Sequence, residues 1–158
     1  MASIFSKIVA GEIPAYKVAE NDEFLAFLDI NPMAIGHTLV IPKQEISYIF
    51  DVDDELLSRM MVFAKRVAKA VEQSVDCVRI GVGVVGLEVP HCHIHLVPLK
   101  NSVGEMNFGG PKLSPSSEEL AAMAQKIKSN FKNFKTKISN LKSKIINIDF
   151  SNVLWYTL

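Results

Sequence analysis

The chain has 158 residues, of which 49% are hydrophobic and 22% charged, a size and balance that suit one domain with a substantial core. No apolar run reaches the roughly eighteen residues that a membrane span needs, and two cysteines, one of them set between histidines, give no disulfide framework. The net charge of zero hides an asymmetry: residues 131–158 carry five lysines against Asp149, leaving residues 1–130 net negative, which argues against a broad DNA- or RNA-binding surface on the main domain.

MASIFSKIVAGEIP lacks a long apolar stretch followed by a cleavage site, so a cytoplasmic location is expected. Within it Ser3 to Val9 reads as a short helix, with Gly11 and Pro14 as breakers. Two extended runs follow, Tyr16–Ala19 and Phe24–Asp29, joined by Asn21-Asp22, which is hairpin chemistry. Asn31-Pro32 stops the second run, and after Gly36 the segment HTLVIP suggests a third strand ending near Pro42. A long helix comes next. Asp51, Asp53, Asp54 and Glu55 crowd its start and Lys65, Arg66 and Lys69 its later turns, the order the helix dipole favours. Leu56, Leu57, Met60, Met61, Ala64, Val67, Ala68 and Val71 keep helical period on its apolar face.

CVRIGVGVVG, Cys77–Gly86, reads as a fourth strand and HCHIHLVP as a fifth, antiparallel neighbours across Leu87–Pro90. Gly81, Gly83 and Gly86 fit GxGxxG, but another strand follows where a dinucleotide fingerprint requires a helix. The glycines are better taken as letting a backbone or ligand approach closely. Gly104 and Gly109-Gly110-Pro111 mark a loop, after which Ser114 to Glu119 opens a second helix with cap residues and early acids. Phe131, Phe134, Ile138, Leu141 and Ile145 extend a seam begun at Leu120 and Ile127, so that helix is expected to continue as a basic amphipathic rod. INIDFSNVLWYTL beyond it is apolar and β-prone. A dimer-packing helix, a membrane-surface helix and a disordered tail all fit this region, and a surface extension unrelated to chemistry leads them.

Three of the four histidines stand at alternate positions of one short segment. On a strand, His91, His93 and His95 point one way, ~6.6 Å apart, while Cys92, Ile94 and Leu96 point the other. The row has three readings: a half-exposed strand that is polar by coincidence, a metal site, or covalent catalysis. Imidazole is the commonest zinc ligand, yet no other cluster supplies an obvious further ligand. In the third reading a neutral imidazole nitrogen attacks phosphorus while neighbouring imidazoles stabilise charge or pass a proton. Asp29, after LAFL, is either an ordinary strand-end acid or an acceptor for paired ribose hydroxyls.

IFSKIVAGEIPAYKV, FLAFLDINPMAIGHTLVIPK and HCHIHLV, in that order between about Ile4 and Pro98, resemble the histidine triad (HIT) family of nucleotide hydrolases and transferases, nearest in pattern to its Hint-like branch. The last segment fits the family's His-φ-His-φ-His-φ-φ signature, where φ is apolar. The resemblance implies an α+β fold: a five-stranded antiparallel sheet with a long central helix and a C-terminal helix, paired into a homodimer. It implies that His93 forms a nucleotidyl-histidine intermediate, with His91 and His95 flanking it and His37 as a further active-site imidazole. Asp29 would hold the ribose, and Ile4, Phe5, Ile8, Phe27, Leu28 and Ile30 would line the base pocket. Residues 1–130 would form the catalytic domain and 131–158 a basic extension, helical and then β-prone or disordered.

Two departures qualify the match. Ser3 and Ser6 stand where some members carry zinc-binding cysteines, and Gln44-Glu45 where a histidine ligand is expected, which argues against a structural zinc. Gly86-Leu87-Glu88 replaces Gly-Gln-Ser/Thr, bringing the Glu88 carboxylate to the leaving-group side, where it either raises imidazole basicity or takes part in proton transfer. The expected function is hydrolysis or nucleotidyl transfer at the α-phosphate of a nucleoside phosphoramidate or dinucleoside polyphosphate, without a cofactor. The alternative is a nucleotide-binding interaction protein whose catalysis is incidental.

Overall fold

The structure, a computed structural model, describes residues 2–146; the β-prone segment expected after Ile146 lies outside them. Helix α1 spans Ile4–Ala10, strands β1, β2 and β3 Lys17–Glu20, Phe24–Leu28 and Thr38–Pro42, and helix α2 Asp54–Glu72. Strands β4 and β5 are Arg79–Gly83 and Ile94–Leu99, and helix α3 is Ser117–Ile146. The strands form one sheet in the order β1-β2-β3-β5-β4, every neighbouring pair antiparallel. This is the expected α+β fold.

Short-range chemistry places most of these boundaries. Asn21 Oδ1 accepts hydrogen bonds from the Glu23 and Phe24 amides and closes the β1–β2 hairpin. The Asp53 side chain caps α2 by accepting from the amides of Glu55 and Leu56. Ser116 and Glu119 form a reciprocal capping box at the start of α3. Gly36, at φ 87°, turns the chain into β3 where a Cβ would stand 2.9 Å from Val75 Cγ1, a position open only to glycine.

Both faces of the central strands are buried. Phe24, Ala26, Leu28, Val40, Ile94 and Leu96 pack under α2 and α3, while Leu25, Phe27, Leu39 and Ile41 pack with Phe5 and Ile8 of α1 on the other face. That is why β2 and β3 read as unbroken apolar runs, with no polar alternation. On α2 the core residues are Met60, Phe63, Ala64, Val67, Ala70 and Val71. Met61, expected beside Met60, is exposed instead, because it lies one residue further round the turn.

The fifth strand is shorter than expected, starting at Ile94 rather than at His91, and β4 ends at Gly83, so the connection runs over residues 84–93. The cause is local: the His91 amide bonds to Val89 O and the Cys92 amide to Ile46 O, outside the sheet ladder. The alternation of faces survives, since Cys92, Ile94 and Leu96 all belong to the helix-side core. The space left by Gly83 is filled by the chain's own side chains, a Cβ there meeting Met106 Cε at 2.6 Å and Phe108 Cζ at 3.1 Å.

Helix α3 crosses residue 131 without interruption. Leu120, Ala124, Ile127 and Phe131 belong to the core, and the Phe131 ring meets Phe63 edge-on at 5.9 Å between centroids. Leu141 is 53% exposed. Phe131→Ala should therefore cost about 3–5 kcal/mol in urea unfolding, while Leu141→Ala should stay within about 0.5 kcal/mol of the parent; equal effects would contradict this packing.

Candidate active site

The four histidines are buried together on the α1 side of the sheet, and their backbones fix how each ring is protonated. His91 Nε2 lies 2.8 Å from Pro42 O. A carbonyl only accepts, so Nε2 carries the proton and Nδ1 accepts from the Ser3 hydroxyl, 2.9 Å away. His93 Nδ1 donates to His91 O at 2.6 Å, which leaves the Nε2 lone pair of the neutral ring unused. At His37 the Met33 amide donates to Nδ1 at 3.2 Å. His37 Nε2 must then carry the proton that bridges to His95 Nδ1, 3.0 Å away, so His95 keeps its own proton on Nε2. One ring thus offers a lone pair and its neighbour an N–H, with their centroids 4.8 Å apart.

Burial drives the electrostatics. It pulls the His37 pKa down to about 3 and that of His95 to about 4, helped in both cases by neighbouring histidines and Lys112. Burial also lowers His91, against the opposing pull of the Pro42 carbonyl, and raises the Asp29 carboxyl. Asp29 Oδ2 lies 3.5 Å from His37 Nδ1, but the Met33 amide already supplies the proton at that nitrogen. The contact joins a carboxylate to a neutral ring and is no ion pair. Asp29 is held by accepting the Asn31 amide at 2.9 Å.

These groups open on a cleft of about 610 Å³ lined by Asp29, Asn31, Met33, His37, His93 and His95, by residues 85–88 of the long connection, and by Phe108, Gly109 and Lys112. Glu88 is therefore at the site. Phe5, Ile8 and Phe27 cluster behind it, the Phe5 ring edge-on to His93 at 5.2 Å, while Ile4 and Ile30 are exposed. Leu28 does not join them: one residue along β2 from Phe27, it faces the helices. Phe108, edge-on to His95 at 4.8 Å, and Lys112 reach the cleft from the Gly-Gly-Pro loop, which carries no motif. Their one available signal was an aromatic and a cation flanking that turn directly after the histidine strand.

Ser3, Ser6 and Glu45 meet at His91. The Ser3 amide and the Ser6 hydroxyl both donate to Glu45 Oε2, and Ser3 Oγ accepts from the Ser6 amide. The Ser6 hydroxyl and the Ser3 amide hold the Glu45 carboxyl below its usual range. Two neutral hydroxyls already bonded to their neighbours are a poor zinc donor set, so these residues do not fit a structural metal and instead tie α1 to the sheet by hydrogen bonds. Asp29, His37 and His95 do bring ligand-type atoms within 4.8 Å of one another, but His37 Nε2 and His95 Nδ1 are already hydrogen-bonded to each other.

A five-stranded antiparallel sheet that brings His93 and His95 into one cleft with His37 from the turn before β3, and buries His91 behind them, defines a histidine triad protein. The HIT domain family model matches residues 10–102, and the chain belongs to that family. It is 35% identical over 133 residues to the adenosine 5'-monophosphoramidase of Schizosaccharomyces pombe, a match covering 84% of this chain and all of that protein. Among solved structures, a HIT-like protein from Bartonella henselae described as involved in cell-cycle regulation is 32% identical, with a TM-score of 0.72 over 81% of this chain and 95% of that one. A zinc-bound histidine triad protein from Mycobacterium smegmatis is 26% identical, with a TM-score of 0.75 over 87% of this chain and 98% of its own.

The buried imidazoles set a pH dependence. His37 and His95 protonate in the folded protein only near pH 3 to 4, whereas in an unfolded chain they do so near about 6.5. The unfolded state binds more protons between those limits, so their contribution is complete above about pH 6.5 and is lost as the pH falls towards about 4. Asp29, with its raised pKa, opposes this in part. Melting temperatures measured from pH 7 to pH 4 should fall, and His95→Asn should flatten the slope; an unchanged slope would contradict the burial assignment.

Proposed function

We propose that the chain hydrolyses, or transfers the nucleotidyl group of, a nucleoside phosphoramidate or dinucleoside polyphosphate at its α-phosphate through a covalent nucleotidyl-His93 intermediate. The observation that carries this reading is the 2.6 Å hydrogen bond from His93 Nδ1 to His91 O, which leaves Nε2 as the nucleophile. His93 Nε2 attacks the α-phosphorus, the bond to the amine or phosphate leaving group breaks, and the leaving group takes up a proton. Water then attacks the same phosphorus, the P–N bond breaks, and a nucleoside monophosphate departs. The His95 N–H, itself oriented by His37, donates to the phosphoryl oxygens as charge develops. Asp29 accepts from the ribose hydroxyls, the apolar group around Phe5 and Phe27 supports the base, and Glu88 stands at the leaving-group end. The imidazole is itself the nucleophile, so the scheme uses no metal or cofactor. The similarity to a yeast adenosine 5'-monophosphoramidase supports the phosphoramidate class.

Mass spectrometry of protein quenched during turnover of an adenosine phosphoramidate should find AMP attached to the peptide containing His93. His93→Ala should lose the adduct and at least about a thousandfold of turnover, yet still bind AMP. A fully active His93→Ala protein would overturn the assignment, and nucleotide bound but never consumed by the parent would favour the interaction-protein alternative.

The active form in this reading is a cytoplasmic homodimer that takes nucleotides, not DNA or RNA. Two unpaired thiols suit a reducing compartment, and no helix among the described residues is long and apolar enough to cross a membrane. β4 ends the sheet order, and Val82 on it and Val78 just before it are exposed, an edge that invites a second copy. Val82→Glu should shift sedimentation velocity from dimer to monomer, whereas a monomeric parent would refute the pairing.

A further inference from the structure

Lys112 lies outside every motif the sequence offered, yet both its backbone and its ammonium are fixed at the cleft. Its Nζ donates to Asn107 O at 3.1 Å and to Phe108 O at 2.8 Å, the latter belonging to the residue whose ring meets His95. The Gly110 amide bonds to Asn107 O, and the Leu113 amide bonds to Pro32 O, tying the lysine to the turn that follows Asp29. Gly110 is closely fitted as well, since a Cβ there would stand 2.7 Å from Asn107 Nδ2. An ammonium has three donors, and the two carbonyls take two of them.

The charges of the cleft make this cation matter. Burial drives His37 and His95 towards the neutral form, so these two supply hydrogen bonds and little positive charge. Asp29 and Glu88, also in the cleft, are acidic side chains. A phosphate entering it meets one lysine and no arginine among the lining residues, and among the described residues Lys112 has no carboxylate within ion-pair distance. The lysine lines the same cleft as Asp29, His37, His93 and His95, and its charge acts on Asp29, His37 and His95.

The geometry points to Lys112 as the anion-binding residue of this cleft, its remaining N–H donating to a non-bridging oxygen of the phosphoryl group held before His93. The assignment rests on the nucleotide reading for the identity of the ligand, though not for its charge. It is tested by calorimetric titration of the full chain, parent and Lys112→Gln, with adenosine, AMP and pyrophosphate. The parent should bind AMP more tightly than adenosine, and Lys112→Gln should weaken AMP and pyrophosphate by roughly tenfold, the scale of one charge-assisted hydrogen bond. Adenosine affinity and the melting temperature should stay within about twofold and a degree or two, and Lys112→Arg should keep most of the AMP affinity. Unchanged AMP and pyrophosphate affinities in Lys112→Gln, or an equal loss for adenosine, would overturn the assignment, as would a parent that binds no anion. A parent that takes pyrophosphate through Lys112 but neither nucleoside ligand would overturn the nucleotide reading and leave the lysine's role standing.

Discussion

The hydrogen bond from the His93 ring to the His91 carbonyl is the contact on which the site depends. It joins a side chain to the backbone two residues earlier, so the ring's orientation and its tautomer are fixed by the same segment that supplies the ring. The same device recurs around it: Pro42 O fixes His91, and the Met33 amide fixes His37 and, through it, His95. Main-chain groups cannot rotate away or titrate near neutral pH, so the pattern of donors and lone pairs is set before any ligand arrives.

That arrangement needs a sheet buried on both faces. Ile94 and Leu96 anchor the strand beneath the helices, while α1 covers the face from which the imidazoles project. A sheet with one wet face would solvate the rings and let them protonate near neutrality. Here desolvation keeps His37 and His95 as neutral hydrogen-bonding groups. The low-dielectric wall that removes charge from His37 and His95 leaves Lys112 as a concentrated source of it.

Most of the fold was legible because its elements carry local signals: hairpin chemistry at Asn21, a cap at Asp53, a capping box at Ser116 and Glu119. The histidine row could be read from spacing alone, since face alternation continues through residues 91–93 although the ladder does not. What could not be read depends on contacts between distant segments. The start of β5 was set by the Cys92 amide reaching Ile46, and Met61 was separated from Met60 by a rotation that composition does not encode. Leu28 was grouped with its neighbour Phe27 by the family resemblance, but the strand's period of two sends it to the opposite face. Phe108 and Lys112 reach the cleft only because a loop folds back over β5.

At the N-terminus of α1, hydroxyls and a carboxylate hold His91 from behind. Such a latch is assembled entirely from the polypeptide. It presents no thiol for peroxide to oxidise, so an oxidative burst would leave this corner of the molecule in working order.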